Sequence, residues 1–308
     1  MSKQGMTTPV LVIAGPTAVG KTALAVEIAE RRGGEIVGTD SMQAYQGMVI
    51  GTAAPTQQDL RGIPHHMLHV WPIQRAVTVM EFQAAARAAI RDVELRGHLP
   101  IVVGGSGLYV RAVMDELHFP PTDATVRADV EQQLAELGPQ LLHARLAAVD
   151  PDAAAAIEPG NGRRIVRALE VNAITGEHFR ARLPDPVSVM PSVRVGLLID
   201  RVDLDARIRA RVNQMWADGF VDEVIRLRAV GLAAAPTASR ALGYQQILAV
   251  LAGEVTEEQA REATIEATRR FARRQQRWFR RDTRITWIPY DSVDLVDHVV
   301  ALLEGTAT

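Results

Sequence analysis

Eight residues near the amino end, Gly15-Pro16-Thr17-Ala18-Val19-Gly20-Lys21-Thr22, restrict the fold more than any other part of the chain. They fit G-x-x-x-x-G-K-[ST] and lie between an apolar run at Val10–Ala14 and a helical pattern over residues 22–31. Such a loop needs a strand to deliver the chain into a tight turn and a helix whose N-terminus faces the same point. Glycines there let backbone N–H groups close around phosphate oxygens, Lys21 supplies a point charge, and the Thr22 hydroxyl suits Mg²⁺. A polyphosphate or diphosphate ligand is therefore expected on all eight residues. Whether its phosphates are transferred, hydrolysed or released together stays open on this motif alone.

Further apolar runs at residues 35–38, 100–103, 193–199 and 286–288 are mostly free of polar alternation, which suits strands buried on both faces of a parallel sheet. Helical patterns lie between them, including residues 79–96, opened by a capping box at Thr78 and Glu81. The alternation predicts an α/β fold, a P-loop NTPase-like parallel sheet flanked by helices. From about residue 120 to 182 the pattern changes: Leu134, Leu137, Leu141, Leu142 and Leu146 recur at helical spacing with no strand-like run. An all-helical insertion domain is expected, bounded by Phe119-Pro120-Pro121-Thr122 and Leu183-Pro184-Asp185-Pro186. The core domain then comprises residues 1–119 and 191–308, and the insertion 120–190. After the run at 193–199, one helix is expected over 204–230 and another from about 257 to 282, N-capped by Thr256.

With 308 residues and 47% of them apolar, the chain can bury a substantial core in two units. It has no cysteine, so disulfides, thiolate nucleophiles and Cys-ligated metals are excluded. Residues 1–9 read as polar, and the apolar run after them is far short of the roughly 20 residues of a membrane span, so a cytoplasmic protein is expected. Thirty-four Lys and Arg stand against 36 Asp and Glu, and any nucleic-acid affinity must come from local patches. One patch is evident. Eight arginines, at 269, 270, 273, 274, 277, 280, 281 and 284, are interrupted by a single acid, Asp282. On a helix they cover an arc of roughly 140°, with Phe271, Trp278 and Phe279 opposite. Arginine clustered without counter-charges favours phosphate recognition. Arg163, Arg164 and Arg167 form a second basic group in the insertion, the last two on one face. Two basic surfaces suggest a nucleic acid held along its backbone.

A second glycine loop, Gly104-Gly105-Ser106-Gly107, follows the run at 100–103. In open α/β sheets ligands sit beyond the carboxyl ends of strands, so this loop, the phosphate loop and Asp40 are expected to share a crevice. Asp40 is a candidate Mg²⁺ ligand or general base, and Asp200, after another apolar run, is its rival. The sequence offers no second carboxylate or arginine finger for activating water, which argues against a hydrolytic motor. His65 and His66 read as a loop pair serving structure or substrate contact rather than a metal site.

In this order the motifs are highly specific. Gly15 to Thr22, Asp40-Ser41-Met42-Gln43 with Tyr45, Gly47-Met48, Ile50-Gly51-Thr52, His65-His66, Gly104-Gly105-Ser106-Gly107-Leu108-Tyr109, Arg164 with Arg167-Ala168-Leu169-Glu170, Arg207-Ile208 with Arg211, Gly243-Tyr244, and Arg274-Gln275 with Trp278 and Arg280 together resemble the tRNA dimethylallyltransferase (tRNA isopentenyltransferase) family over nearly the whole chain. Val49 stands where the family usually has Asp, and Ala54 where it usually has Lys. The resemblance implies transfer of a dimethylallyl group from dimethylallyl diphosphate to N6 of the adenosine 3′ of the anticodon. Asp40, Thr22 and Arg211 would be catalytic, with Mg²⁺ on Thr22. Asp40, Ser41, Met42, Gln43, Ser106, Arg127, Arg163, Arg164, Arg167, Arg240, Arg273, Arg274, Gln275, Arg277, Trp278 and Arg280 would contact the anticodon stem-loop. The expected partners are tRNA and dimethylallyl diphosphate, with no membrane, and the enzyme is expected to be a monomer. The competing readings are a small-molecule kinase using ATP on the same loop and a non-catalytic RNA-binding ATPase switch.

Overall fold

Every residue of β1 (Val10–Ala14) is buried, and its side chains divide between two cores: Leu11 and Ile13 face one layer of helices, Val10, Val12 and Ala14 the other. Strands buried on both faces explain why the run lacks polar alternation. A computed structural model describes residues 9–305; residues 1–8 of the polar stretch read at the amino end, and residues 306–308, lie outside it. After β1 come α1 (Lys21–Arg32), β2 (Gly34–Gly38), α2 (Gln57–Leu60), β3 (His65–His66), α3 (Val79–Leu95), β4 (Leu99–Gly104) and α4 (Gly107–Met114). The helices α5 (Ala124–Val149), α6 (Pro151–Ala156) and α7 (Gly162–Thr175) precede β5 (Ser192–Leu198). The chain ends with α8 (Arg201–Ala217), α9 (Phe220–Ala229), α10 (Tyr244–Leu251), α11 (Glu257–Phe279), β6 (Thr286–Pro289) and α12 (Leu295–Gly305).

The six strands form one parallel sheet in the order β3-β2-β4-β1-β5-β6. Leu24, Ile28, Leu204, Ile208 and Val299 pack on one face, Phe82, Ile90, Val110 and Val113 on the other. Each such side chain contributes about 1.5–3 kcal/mol on burial. A third cluster, outside the sheet, joins Tyr45 and Met48 to Phe220 and Val224 of α9 and to Tyr244 and Ile247 of α10.

The Thr78 and Thr256 caps form as expected, each hydroxyl accepting the N–H three residues on. Two helical expectations are corrected. The single helix over 204–230 is two, because Gly219, with φ +91°, breaks it between α8 and α9. The helix expected to reach 282 ends at Phe279.

The contacts divide the chain into two compact units, one running to Glu116 and resuming at Pro186, the other Leu117–Asp185. The second unit is helical throughout and has its own core of Val130, Leu142, Leu146, Ile165 and Val166. Gly138, with φ +76° just before Pro139, kinks α5, so the leucines do not share one face: Leu142 and Leu146 are buried, while Leu137 and Leu141 are exposed.

Candidate active site

The phosphate loop leaves β1 at Gly15 and re-enters regular structure at Lys21, through Gly20 at φ +108°, a conformation a side chain would strain. The N–H groups of Lys21 and Thr22, at the start of α1, have no intrahelical acceptor and are free for an anion. The rest of the loop is held from outside. Gln275 of α11 accepts the Thr17 N–H at 2.9 Å, Arg207 donates from Nε to the Ala18 carbonyl at 2.8 Å, and Arg211 reaches the Thr17 hydroxyl at 3.3 Å. The Thr17 N–H thus has Gln275 as its partner. The Lys21 ammonium donates to the Pro16 carbonyl at 2.7 Å. Burial, joined by the charge of Arg211 and opposed by Asp40, lowers its pKa to about 7.

Asp40 lies two residues beyond β2, where its carboxylate accepts the Met42 N–H at 2.9 Å. Burial raises its pKa above the usual carboxylate range, against the opposing pull of that N–H and of Lys21. Thr39 beside it bonds the Val103 carbonyl through both N–H and hydroxyl, which ties the ends of β2 and β4 together. At Gly105 a Cβ would come 2.4 Å from Gln275 Nε2 and 3.4 Å from the Gly15 carbonyl, so the second glycine loop lies against the first with Gln275 beside both. The two loops and Asp40 thus follow the carboxyl ends of the neighbouring strands β1, β4 and β2. Thr22 lines a cleft of about 490 Å³ with Ala53, Ala54, Pro55, Arg61 and Arg211, and also a small cavity of about 30 Å³ with Gln43 and His65.

Other candidates stand elsewhere. Asp200, the rival carboxylate, caps α8 by accepting the Asp203 N–H at 3.0 Å. His65 and His66 form the edge strand β3 rather than a loop, and the His66 ring meets Glu35 at 2.6 Å. Ser41 and Met42 follow Asp40, half-buried, and Ser106 opens α4. Gln275, expected to touch RNA, is buried against the phosphate loop, because an amide facing Thr17 has no surface to offer. Trp278, expected both opposite the arginines and at RNA, is partly exposed and lies against Gly107.

The arginines sort into two groups. Arg274, Arg277 and Arg280 are exposed, Arg273 is half-buried, and Arg240 is exposed outside the long helices. Arg269 instead pairs with Asp205 at 3.7 Å and Arg270 with Glu266 at 3.5 Å. Arg284, beyond the helix, bonds Asp115 and Asp282 at 2.7–3.0 Å. The expectation of an unpaired cluster is corrected for these three. In the second unit Arg127 and Arg167 each bond the buried Glu170 at 2.7 Å, and Arg164 bonds the Ala181 carbonyl, so these three are engaged internally; Arg163 is exposed.

Sequence reasoning gave no separate role to Arg207 or Glu223. Arg207 is one helical turn from Arg211, a spacing that signals a shared face. Glu223 is a buried carboxylate whose partners are backbone N–H groups of residues 49–51, and no local signal marks it.

A family model described as IPP transferase matches residues 43–282. The chain belongs to the IPP transferase family. The matched segment begins after the phosphate loop and Asp40, whereas the relatives below align over 96–97% of the chain. A tRNA dimethylallyltransferase from Thermobifida fusca (strain YX) is 57% identical over 299 residues, covering 96% of this chain and 94% of the relative. The crystal structure of the full-length tRNA isopentenylpyrophosphate transferase from Bacillus halodurans superposes with a TM-score of 0.71 at 36% identity, covering 97% of this chain and 98% of that one. A eukaryotic dimethylallyltransferase acting on tRNA gives a TM-score of 0.77 at 25% identity, covering 96% of this chain and 77% of the other. The fold is the P-loop NTPase-like α/β fold expected from the sequence. Among the described residues no helix is long and apolar enough to cross a membrane.

The donors present fit Mg²⁺ of the kind that binds through substrate. Among the described residues no three His, Asp or Glu side chains cluster to form a protein cage. A hydroxyl at the cradle, Thr22, and one recessed carboxylate nearby, Asp40, are hard oxygen donors, and Mg²⁺ commonly takes one or two such ligands with phosphate oxygens and water.

Proposed function

We propose that the protein transfers the dimethylallyl group of dimethylallyl diphosphate to N6 of the adenosine 3′ of the anticodon, in tRNAs reading codons that begin with U, and releases diphosphate. The observation that carries this reading is the match to tRNA dimethylallyltransferases over nearly the whole chain, and it is supported by one recessed carboxylate, Asp40, beside the lysine of an anion cradle. N6 attacks the first carbon of the prenyl group, the carbon–oxygen bond to the diphosphate breaks, and the electron pair leaves with the diphosphate. Asp40 takes the proton that N6 loses, and burial keeps its basicity above that of an ordinary carboxylate. Lys21, Arg211 and the first N–H groups of α1 hold the charge that develops on the leaving group. Thr22, with Asp40 nearby, would hold Mg²⁺, which neutralises diphosphate oxygens when bound.

The adenine must leave its stack to reach Asp40. Ser41, Met42, Gln43 and Ser106 border the site, and the exposed arginines 240, 273, 274, 277 and 280 are suited to backbone phosphates. Residues 120–190, which overlap the compact unit Leu117–Asp185, would be an RNA-gripping insertion in which the exposed Arg163 serves the same RNA, joined by Arg127, Arg164 and Arg167 once they exchange their internal partners for phosphate. Since tRNA is the substrate, the protein works in the cytoplasm.

Labelled dimethylallyl diphosphate and labelled ATP, each offered with bulk tRNA, test the reading. Label is expected in RNA from the prenyl donor, with a mass gain of one prenyl unit. Label passing only from ATP, or a nucleotide-dependent RNA complex without covalent change, overturns it.

A further inference from the structure

Glu223, in the first turn of α9, is 3% exposed. Among the described residues its carboxylate is held by four hydrogen-bond donors and by no cation. The N–H groups of Val49 and Ile50 reach Oε2 at 3.1 and 2.7 Å, that of Gly51 reaches Oε1 at 3.2 Å, and the Tyr244 hydroxyl reaches Oε1 at 2.6 Å. Three consecutive N–H groups turned onto one oxygen pair form an anion nest in which the anion is a side chain of the protein. Gly51 is pressed close beneath it: a Cβ there would come 2.1 Å from the Phe220 ring and 2.5 Å from the Tyr244 ring.

The same segment then turns toward the crevice. The carbonyls of Thr52 and Ala53 accept from Gln43 Nε2 at 3.1 and 3.2 Å. Two carbonyl partners use both amide hydrogens and settle which way the amide faces, so Oε1, an acceptor, is what Gln43 has left to offer. Gln43 lies three residues from Asp40 and shares the small cavity with Thr22.

We infer that Glu223 and Tyr244 are positioning residues for the choice of base: they fix segment 49–53, the segment fixes the Gln43 amide, and that amide offers an acceptor to the 6-amino group of a purine while opposing a 6-oxo group. The inference rests on the reading that an adenine is the acceptor. An acceptor fixed in place welcomes an amine and repels a carbonyl, and sites built on a hydrogen bond discriminate more sharply than apolar ones.

The test compares binding of two anticodon stem-loop RNAs, identical except for adenine or hypoxanthine at the acceptor position, to the full-length parent, Glu223→Gln and Tyr244→Phe. The parent is expected to favour adenine. Each substitution should shrink that preference about tenfold, the scale of one hydrogen bond, while affinity for the hypoxanthine RNA stays within about twofold. An equal loss for both RNAs, an unchanged preference in the variants, or no preference in the parent overturns the inference. Tyr244→Phe removes one hydroxyl and keeps the ring packed, so it decides alone should Glu223→Gln not fold. Prenyl transfer by the parent to the adenine RNA is measured in parallel. Its absence defeats the functional reading, whereas transfer with an unmoved preference defeats only the role of Glu223 and Tyr244.

Discussion

Asp40 and Lys21 are neighbours in a partly closed site, and burial displaces both toward neutrality, the carboxylate upward and the ammonium down to about 7. For Asp40 this favours proton acceptance. Asp40→Ala should slow prenyl transfer by about 10²–10⁴, the usual worth of a positioned proton acceptor, and leave tRNA affinity nearly unchanged. Single-turnover transfer beside RNA binding checks this; equal turnover in variant and parent removes Asp40 from the mechanism. For Lys21 the sign follows from linkage. An anion prefers the charged ammonium, so binding raises the Lys21 pKa; above pH about 7 the free side chain has lost its proton and must recover it on binding. Diphosphate binding at pH 8 should therefore take up about one more proton in the parent than in Lys21→Arg, whose guanidinium stays charged. Calorimetry in buffers of different ionisation enthalpy measures the difference, and identical uptake in the two proteins would show that Lys21 is charged before the anion arrives.

Across α11 the arginines divide by what already holds them. Arg273 and Arg277 bear no ion pair among those described, and replacing both by Ala should flatten the salt dependence of tRNA binding by about 0.7–0.9 log unit per lost phosphate contact. Arg284 differs, because it bonds two carboxylates, one of them the fully buried Asp115, which keeps Arg194 and Arg111 as partners. Arg284→Ala should cost about 2–3 kcal/mol of stability and leave the salt slope alone. Denaturant titration and salt-dependent binding separate the two behaviours, and a slope that responds to Arg284 but not to Arg273 and Arg277 would reverse the assignment. The same helix marks what sequence reveals. Helical periodicity gave its course and Thr256 its start, both local properties. The pairing of Arg270 with Glu266 and of Arg284 with Asp282 is local and was open to reading, whereas Asp205 and Asp115 lie far away in sequence and come near Arg269 and Arg284 only through the fold. The phosphate loop was legible because its chemistry is carried by spacing within eight residues. The support that Gln275 gives to Thr17 spans 258 positions and was invisible for the same reason. Gly219, just after Asp218, was a helix-breaking signal available in the sequence.

At the scale of the whole chain, the second unit is an excursion whose two ends are tied together in the first. Glu116 N–H bonds the Val187 carbonyl at 2.7 Å, Val189 N–H bonds the Met114 carbonyl at 3.0 Å, and Asp115 pairs with Ser188 as an isolated bridge. Arg194 of β5 and Arg284 brace that bridge by bonding both Asp115 and Ser188. A chain that leaves and returns through adjacent, hydrogen-bonded segments can be shortened between them without stretching the sheet. The parallel sheet and the phosphate loop lie wholly in the first unit, with the cores on both faces of the sheet drawn from the same unit. Replacing residues 118–185 with a Gly-Ser linker of about four residues should therefore leave a folded core that unfolds cooperatively and binds diphosphate with nearly parental affinity. Affinity for tRNA should fall, and its salt slope should decline by about 0.7–0.9 log unit, one phosphate contact, because the RNA loses the exposed Arg163. Calorimetric diphosphate binding and salt-dependent RNA binding on the shortened protein check both parts. A shortened chain that binds tRNA with the parental slope would mean that the core holds the RNA unaided.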